Sequence, residues 1–515
     1  MKLPLASPAR VFPALGMILL AAIVASCAVI LSKDSIATAH DAMRPVEVES
    51  PARVHMADGS VIVYPQGFAL QRDTILGPGT RYGLSLKGME VVRRLAVDSV
   101  AAIESYRVET NTGRSVGYSL AVTGAIWSSA VLACLAFCGS CPTIYSPDGT
   151  LEAEAFSYSI APVFEARDVD RLFTRADADG IVTLDVRNEM LETHYINQFE
   201  LIEVRHADGE RVAVDPQGRA VAFRPVDVPV RAVDREERNL SVVVAAIDGV
   251  ATRASERSLA GAEHEMEDWI DVTAPAPAGA DSVALLLHVR NSPLTTILLY
   301  EVMLGGQGVG AVDWIGRDLG RVDHALDLGR WYGSRMGLRA STPDGSEVGR
   351  VGDVGPLAWK EVAIVVPVDR DSVRVRLSFV TDAWRIDRIA LGRDVRRTET
   401  RTVAPTAVVG ADGVTDSDAL ARLGKADERY LETRPGERFE LTFDVGPSGE
   451  DERTFLLAST GYYVEWIRGA WLESPAASFD PSDAALVEAL RRWRGTRSTY
   501  EAAFQRVRFP VEAGR

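Results

Sequence analysis

Four cysteines, at 27, 134, 138 and 141, are the most reactive side chains in this 515-residue chain. Cys138-Gly139-Ser140-Cys141 has a CxxC spacing, which can close a disulfide, run thiol exchange or supply half of a zinc site. Zinc needs two further ligands, and the sequence has neither a second CxxC nor a paired-histidine motif. Thiol exchange wants the pair at the start of a helix that follows a strand, whereas here it ends an apolar stretch. The expectation is therefore a structural disulfide between Cys138 and Cys141, or two inert thiols.

Other patterns are weaker. Gly113-Arg114-Ser115-Val116-Gly117 matches a nucleophile elbow, but the strand-rich region after it does not supply the alternating strands and helices of an α/β-hydrolase. Gly306-Gln307-Gly308-Val309-Gly310-Ala311 fits the loose dinucleotide pattern, yet it follows a helical segment rather than a strand, so a loop is the reading. His264-Glu265-Met266-Glu267-Asp268 has aspartate where a zinc helix needs its second histidine. Asp177-Ala178-Asp179-Gly180 is not an EF-hand, because Arg175 and Val186 occupy the first and twelfth ligand positions. A calcium site of another kind in a β-sandwich loop stays open. No metal centre and no cofactor are expected. Tyr462 and Trp466 would share a strand face and form a glycan-binding platform, with Trp331, Tyr332 and Trp359 as further aromatic candidates. The competing reading is that these rings are core.

These groups need an address and a scaffold. Lys2 and Arg10 precede an uncharged stretch from Val11 to Leu31, the layout of a secretory signal or anchor. Val24-Ala25-Ser26-Cys27 within it resembles a bacterial lipoprotein lipobox, with Val24 in place of the commoner leucine. That resemblance makes Cys27 the lipidation site. The alternative is an uncleaved N-terminal helix long enough to span a bilayer. A second apolar stretch, Tyr118–Cys138, reads as a membrane-associated or buried helix. A true second span would put the C-terminal region in the cytoplasm, against the Arg107 and Arg114 that precede it.

Composition sets the remaining bounds. The chain is 47% hydrophobic and 25% charged, as globular proteins are, with net charge −16. An acidic chain without a basic block is a poor match for nucleic-acid phosphates, so no nucleic-acid partner is expected. The 42 glycines and 25 prolines favour turns and strands over long helices. The expected fold is mainly β. After residues 1–31 comes a small SH3-like barrel at 45–108, whose Asp58-Gly59 pair suits a type I′ hairpin. The hydrophobic helix 118–138 follows, then a β-rich domain at 142–262 with Leu240–Ile247 as a buried strand. A jelly-roll-like β-sandwich with a helical insertion occupies 263–395, with Ser282–Val289 a buried strand. Val373, Val375, Leu377 and Phe379 alternate with Arg374, Arg376 and Ser378, giving one apolar and one wet face, with Lys360–Val368 and Arg385–Leu391 as neighbours of that strand. Its helical insert opens at Ser292-Pro293 and stops at Gly305-Gly306. A β-rich region with C-terminal helices closes the chain at 396–515. There, Leu486, Leu490 and Trp493 share a helix face that ends at Gly495.

Several phrases run through this scaffold: Cys141-Pro142-Thr143-Ile144-Tyr145-Ser146-Pro147-Asp148-Gly149, then Arg187 to Tyr195, Asp387 to Leu391 and Ser459 to Tyr463. Together they resemble a group of uncharacterised bacterial envelope proteins, in which a CPxxYxxDG phrase after a hydrophobic helix opens a long β-rich region. The resemblance covers most of 140–465 and implies a class, without an activity or catalytic residues. The resulting expectation is a membrane-anchored protein of the bacterial envelope, its main domains outside the cytoplasm. It would be held at the membrane by lipid at Cys27 or by the N-terminal helix, and would bind or scaffold a glycan or an envelope protein. The alternative is an extracytoplasmic hydrolase with its site in the β-sandwich region.

Overall fold

Alternation of apolar and polar residues dictates a mainly β protein, and a computed structural model has that architecture. It describes residues 29–31, 46–48, 51–83, 90–105, 109–110 and 511, together with 141–504 except 448, 450, 451, 469, 470 and 473. Cys27, Ser115, the stretch Tyr118–Cys138 and Cys138 itself lie outside the described residues. Among those described, no helix is long and apolar enough to cross a membrane.

The small N-terminal unit is one antiparallel sheet whose strands include Ala52–Met56, Val61–Tyr64, Phe68–Gln71, Thr74–Tyr82, Glu90–Ala96 and Val100–Ser105. It buries its own core of Val54, Ile62, Tyr64, Leu70, Ile75 and Ile103. The hairpin expected at Asp58-Gly59 forms, with His55 opposite Val61. Its turn is not type I′, which needs positive φ at both central residues. Only Gly59 is left-handed, at φ 81°. The Met56 N–H donates to Ser60 O at 2.9 Å and the Gly59 N–H to Met56 O at 3.1 Å, which makes a three-residue loop. The Asp58 carboxylate accepts from the Ser60 N–H at 3.0 Å and so favours this loop. The same pattern closes Ser146–Thr150, Asp177–Ile181 and Asp215–Arg219. Asp177 thus serves as a turn former, its Oδ1 accepting from the N–H groups of Asp179 and Ile181.

The larger part is two nested β assemblies. In the outer one, Leu151–Glu154, Thr143–Tyr145, Ile181–Arg187, Arg438–Asp444 and Ala407–Gly410 form one sheet. Ala166–Arg171, Glu452–Glu465, Glu192–His206 and Thr400–Val403 form the other. Strands from 142–206 therefore pair with strands from 400–465, as in Leu184 opposite Leu441 and Leu201 opposite Leu457. The expected boundaries at 262 and 396 do not separate these sheets.

The inner assembly, 211–397, is inserted between the outer strands. Arg211–Val214, Ala220–Val226, Trp384–Arg397, Ser282–Asn291 and Lys360–Pro367 close into a barrel. Arg231–Asp234, Glu267–Pro275, Ser372–Val380, Leu338–Ser341 and Glu347–Val351 form a further sheet. Lys360–Pro367 and Trp384–Arg397 flank the buried strand Ser282–Asn291, whereas Ser372–Val380, whose neighbours they were expected to be, pairs with Glu267–Pro275 and Leu338–Ser341.

Three local expectations fail. Leu240–Ile247 is a turn-rich loop with Val242 88% and Ile247 50% exposed; it meets neighbouring strands through single bonds, Leu240 N–H to Ala232 O and Ile389 N–H to Val244 O, instead of a ladder. Gly305 and Gly306 do not stop the helical insert, which continues to Asp313 and kinks at Gly308, where φ is 56°. The C-terminal helix Asp483–Phe504 passes through Gly495. Tyr500 packs edge-on against Trp493 and Phe504 stacks on Tyr500, and this burial outweighs the ~1 kcal/mol helix cost of one glycine.

Candidate functional site

The strand Ala166–Arg171 is at the edge of its sheet, paired on one side with Glu452–Glu465. Asp168 and Asp170 stand two residues apart and so share a face. That face meets Lys360, the first residue of a barrel strand. Its Nζ lies 2.7 Å from Asp168 Oδ1 and 3.0 Å from Asp170 Oδ1. Burial works against the Lys360 ammonium, but Asp168 and Asp170 outweigh it and raise its pKa. Burial, followed by the Asp168 charge, pushes Asp170 up to about 7. The physical reason is stoichiometric: one cation cannot fully compensate two carboxylates in a dry site.

This triad sits beside a cavity of about 600 Å³, within the size range of small-molecule sites. Much of its wall is apolar, including Ile160, Phe164, Val214, Leu299, Leu328 and Val362. One side is the amphipathic helix Val322–Met336, with Ala325, Leu328 and Met336 buried. Gly329 lets that helix approach closely, since a Cβ there would stand 3.2 Å from the Phe164 ring. Tyr332 on the same helix donates its hydroxyl proton to Asp353, whose other oxygen accepts from the Gly355 N–H at 3.0 Å. Burial raises both the Tyr332 phenol and the Asp353 carboxyl. At the rim, Glu165 accepts from Asn197 Nδ2 and from the Tyr430 hydroxyl, both at 2.7 Å.

The residues singled out from sequence are placed differently. Tyr462 and Trp466 are each 1% exposed. Tyr462 stacks on Tyr195 with ring centres 4.7 Å apart. Trp466 stacks on His55 of the N-terminal sheet at 5.2 Å and donates Nε1–H to Thr193 Oγ1 at 2.8 Å. These rings are packed in the interior and do not form an open sugar platform. Cys141 is wholly buried. His288 is buried, with Nδ1 3.2 Å from Asp387 Oδ2 and its ring stacked on Trp359 at 5.0 Å. Among the described residues no group of three or more His, Cys, Asp or Glu side chains is arranged to hold a metal ion. Of the aromatic candidates, Tyr332 is the one that lines the large cavity.

Sequence reasoning missed Asp168, Asp170 and Lys360. A signal was present: the chain has lysine only at 2, 33, 87, 360 and 425, and Lys360 opens an apolar strand. A lone lysine entering the core requires carboxylates nearby, and the Asp-Val-Asp alternation at 168–170 could supply two.

No family model matches the chain, and no curated protein matches it. Among solved structures, that of infectious bursal disease virus Gx strain aligns over 92% of this chain and 86% of the other, at 8% identity and a TM-score of 0.13. At that TM-score the likeness carries no argument.

Proposed function

We propose that this chain is a non-catalytic binding protein of the bacterial envelope, held at the membrane through its N-terminus, with a compact organic ligand seated in the 600 Å³ cavity. The observation that carries the reading is the cavity's apolar wall combined with charges already committed to fixed partners: Lys360 to Asp168 and Asp170, and Asp353 to Tyr332. A wall of this kind selects by shape and burial, and polar groups at its edge set orientation. Asp168, Asp215 and Asp353 are taken up by Lys360, Arg219 and Tyr332, which leaves Glu165, held only by the neutral donors Asn197 and Tyr430, to orient an apolar body with a cationic head.

Hexylammonium is therefore expected to raise the unfolding temperature of the full chain in detergent, and hexanoate at the same ionic strength is not. Saturation a hundredfold above Kd corresponds to about 2.7 kcal/mol, a shift of several degrees. Gly333 and Gly352 line the cavity, and a Cβ at either meets nothing within 4 Å. Gly333→Leu and Gly352→Leu should fold and lose the hexylammonium response. Two retained responses, or an equal response to hexanoate, would show that the cavity is not the site.

The tether rests on the lipobox resemblance at Cys27. Labelling by a fatty-acid analogue in cells should disappear in Cys27→Ala; persistent labelling would rule out lipid at that position. A second reading, an extracytoplasmic hydrolase, draws on Asp170, which lies 3.0 Å from the cavity-lining Lys360 and is pushed up to about 7 by burial and the Asp168 charge. It requires turnover of a cavity-bound ester that Asp170→Asn abolishes and Gly352→Leu blocks.

A further inference from the structure

A second cavity, of about 310 Å³, is lined by Arg253, Arg290, Asn291, Arg385, Ser498 and Glu501, among others. It forms where Ser282–Asn291 runs beside Trp384–Arg397, with Arg290 opposite Arg385, and where the C-terminal helix covers the strand ends. Three guanidinium groups meet one carboxylate there, and their commitments differ.

Arg385 is saturated. Its Nη1 lies 2.9 Å from Asp382 Oδ1 and its Nη2 2.7 Å from Glu501 Oε1. Arg253 is at the mouth, 59% exposed, with Nη2 3.0 Å from Glu501 Oε2. Arg290 has no ion pair among the described residues. Its one hydrogen bond runs from Nη1 to Pro356 O at 3.1 Å, its guanidinium lies 4.6 Å from the Trp359 ring centre, and its buried Nε has no acceptor. Beside it, Asn291 is fully buried. The Asn291 Oδ1 accepts from the Val354 N–H at 2.7 Å, which fixes the amide orientation and leaves Nδ2 as a buried donor without a protein acceptor. Burial, then the neighbouring Arg385 charge, lowers the Arg290 pKa to about 10.

Three guanidinium groups share the single Glu501 carboxylate of this cavity, and Arg290, which forms no ion pair with it, holds the charge left over; such a cavity calls for oxygen atoms carrying negative charge. We propose that this cavity is an oxyanion site, in which Arg290 holds a carboxylate or phosphate group of a small ligand and Arg253 and Ser498 guard its entrance. The site is separate from the cavity assigned to a cationic-headed ligand, and its charge sign is opposite.

The test is titration of the full chain in detergent with inorganic phosphate and, separately, with acetate, each against sodium chloride at equal ionic strength, reading the unfolding temperature. At least one oxyanion should stabilise the protein beyond chloride: phosphate alone assigns a phosphate ligand, acetate alone a carboxylate. Arg290→Gln should weaken the apparent affinity roughly tenfold or more, the loss of one charge-assisted hydrogen bond. Asn291→Asp keeps the acceptor that Val354 uses and sets a second carboxylate against the three guanidinium groups, so it should weaken the response. The exposed Arg253→Gln, which tests the mouth without disturbing the core, should weaken affinity several-fold. Chloride matching both oxyanions, or an oxyanion response unchanged in Arg253→Gln and in whichever core variant folds, would overturn the proposal.

Discussion

Replacing Asp382 with alanine is expected to destabilise the protein by about 3–5 kcal/mol, the usual cost of removing one partner from a buried ion pair. Asp382 is 1% exposed and left-handed, at φ 62°, in the turn between Ser372–Val380 and Trp384–Arg397. Aspartate tolerates that backbone better than most residues. Its carboxylate accepts from the Ala254 N–H and Trp493 Nε1–H, both at 2.8 Å, from Arg385 Nη1 at 2.9 Å and from Arg497 Nη1 at 3.2 Å. Two of these donors belong to the C-terminal helix, so one carboxylate fastens that helix to the inner β assembly. Alanine leaves two neutral N–H groups buried without acceptors, and Arg385 with Glu501 as its one carboxylate partner. Equilibrium urea unfolding measures the loss, and a change below about 1 kcal/mol would refute the role.

The pH dependence follows from the same group. Burial raises the Asp382 pKa, but Arg385 and the hydrogen bonds more than offset it, and the folded value lies below 3.8. A depressed carboxylate contributes stability that is present above its unfolded value and lost as pH falls through the folded one. The gap between wild type and Asp382→Ala should be full at neutral pH and shrink below about pH 3.8. A gap that widened in acid would contradict this sign.

Arg53→Met should release the N-terminal sheet from the rest of the molecule at a comparable cost, about 3–5 kcal/mol. Arg53 is 3% exposed on the strand Ala52–Met56. Its Nε donates to Val312 O at 2.9 Å, its Nη2 to Ala311 O at 3.0 Å and its Nη1 to Glu465 O, with Glu104 Oε1 3.4 Å from Nη1. Glu104 is fully buried and also accepts from the Ile467 N–H. Methionine keeps most of the volume but leaves the buried Glu104 carboxylate with only His55, 3.1 Å away, and the Ile467 N–H, and removes the donor to three carbonyls. Hydrogen exchange should accelerate across Ala52–Tyr64 and at Ile467, with the inner barrel unchanged. Arg53→Lys, which keeps charge but not the three-way fork, should fall between. A uniform change across the whole chain would argue against a docking role.

The alternation in Val373, Val375, Leu377 and Phe379 was legible because a strand's faces are set by its own backbone period, and all four residues are buried with Arg374 and Arg376 exposed. By alternation Ser378 belongs to the wet face, yet it is buried, because the large Trp269 and Arg339 stand directly opposite it on the two neighbouring strands. The aromatic face of Tyr462 and Trp466 failed for a related reason. A strand's period says which side chains lie together, and it does not say what sheet packs over them. Here the N-terminal sheet's His55 stacks on Trp466, and Tyr462 stacks on Tyr195, its cross-strand neighbour in the same sheet.

What the sequence by itself determined is local: strand periodicity, aspartate–glycine turns, the Leu486–Leu490–Trp493 face of the terminal helix, and the mainly β class. These depend on residues a few positions apart, whose geometry the backbone dictates. Only the tertiary structure decided that 211–397 is inserted within the outer sheets. It also decided that Asp168 and Asp170 meet Lys360 across 192 residues of chain, and that Arg290 and Asn291 face a cavity closed by the C-terminal helix. Pairing between distant strands is selected by which surfaces bury each other best, and that choice is a property of the whole packed chain.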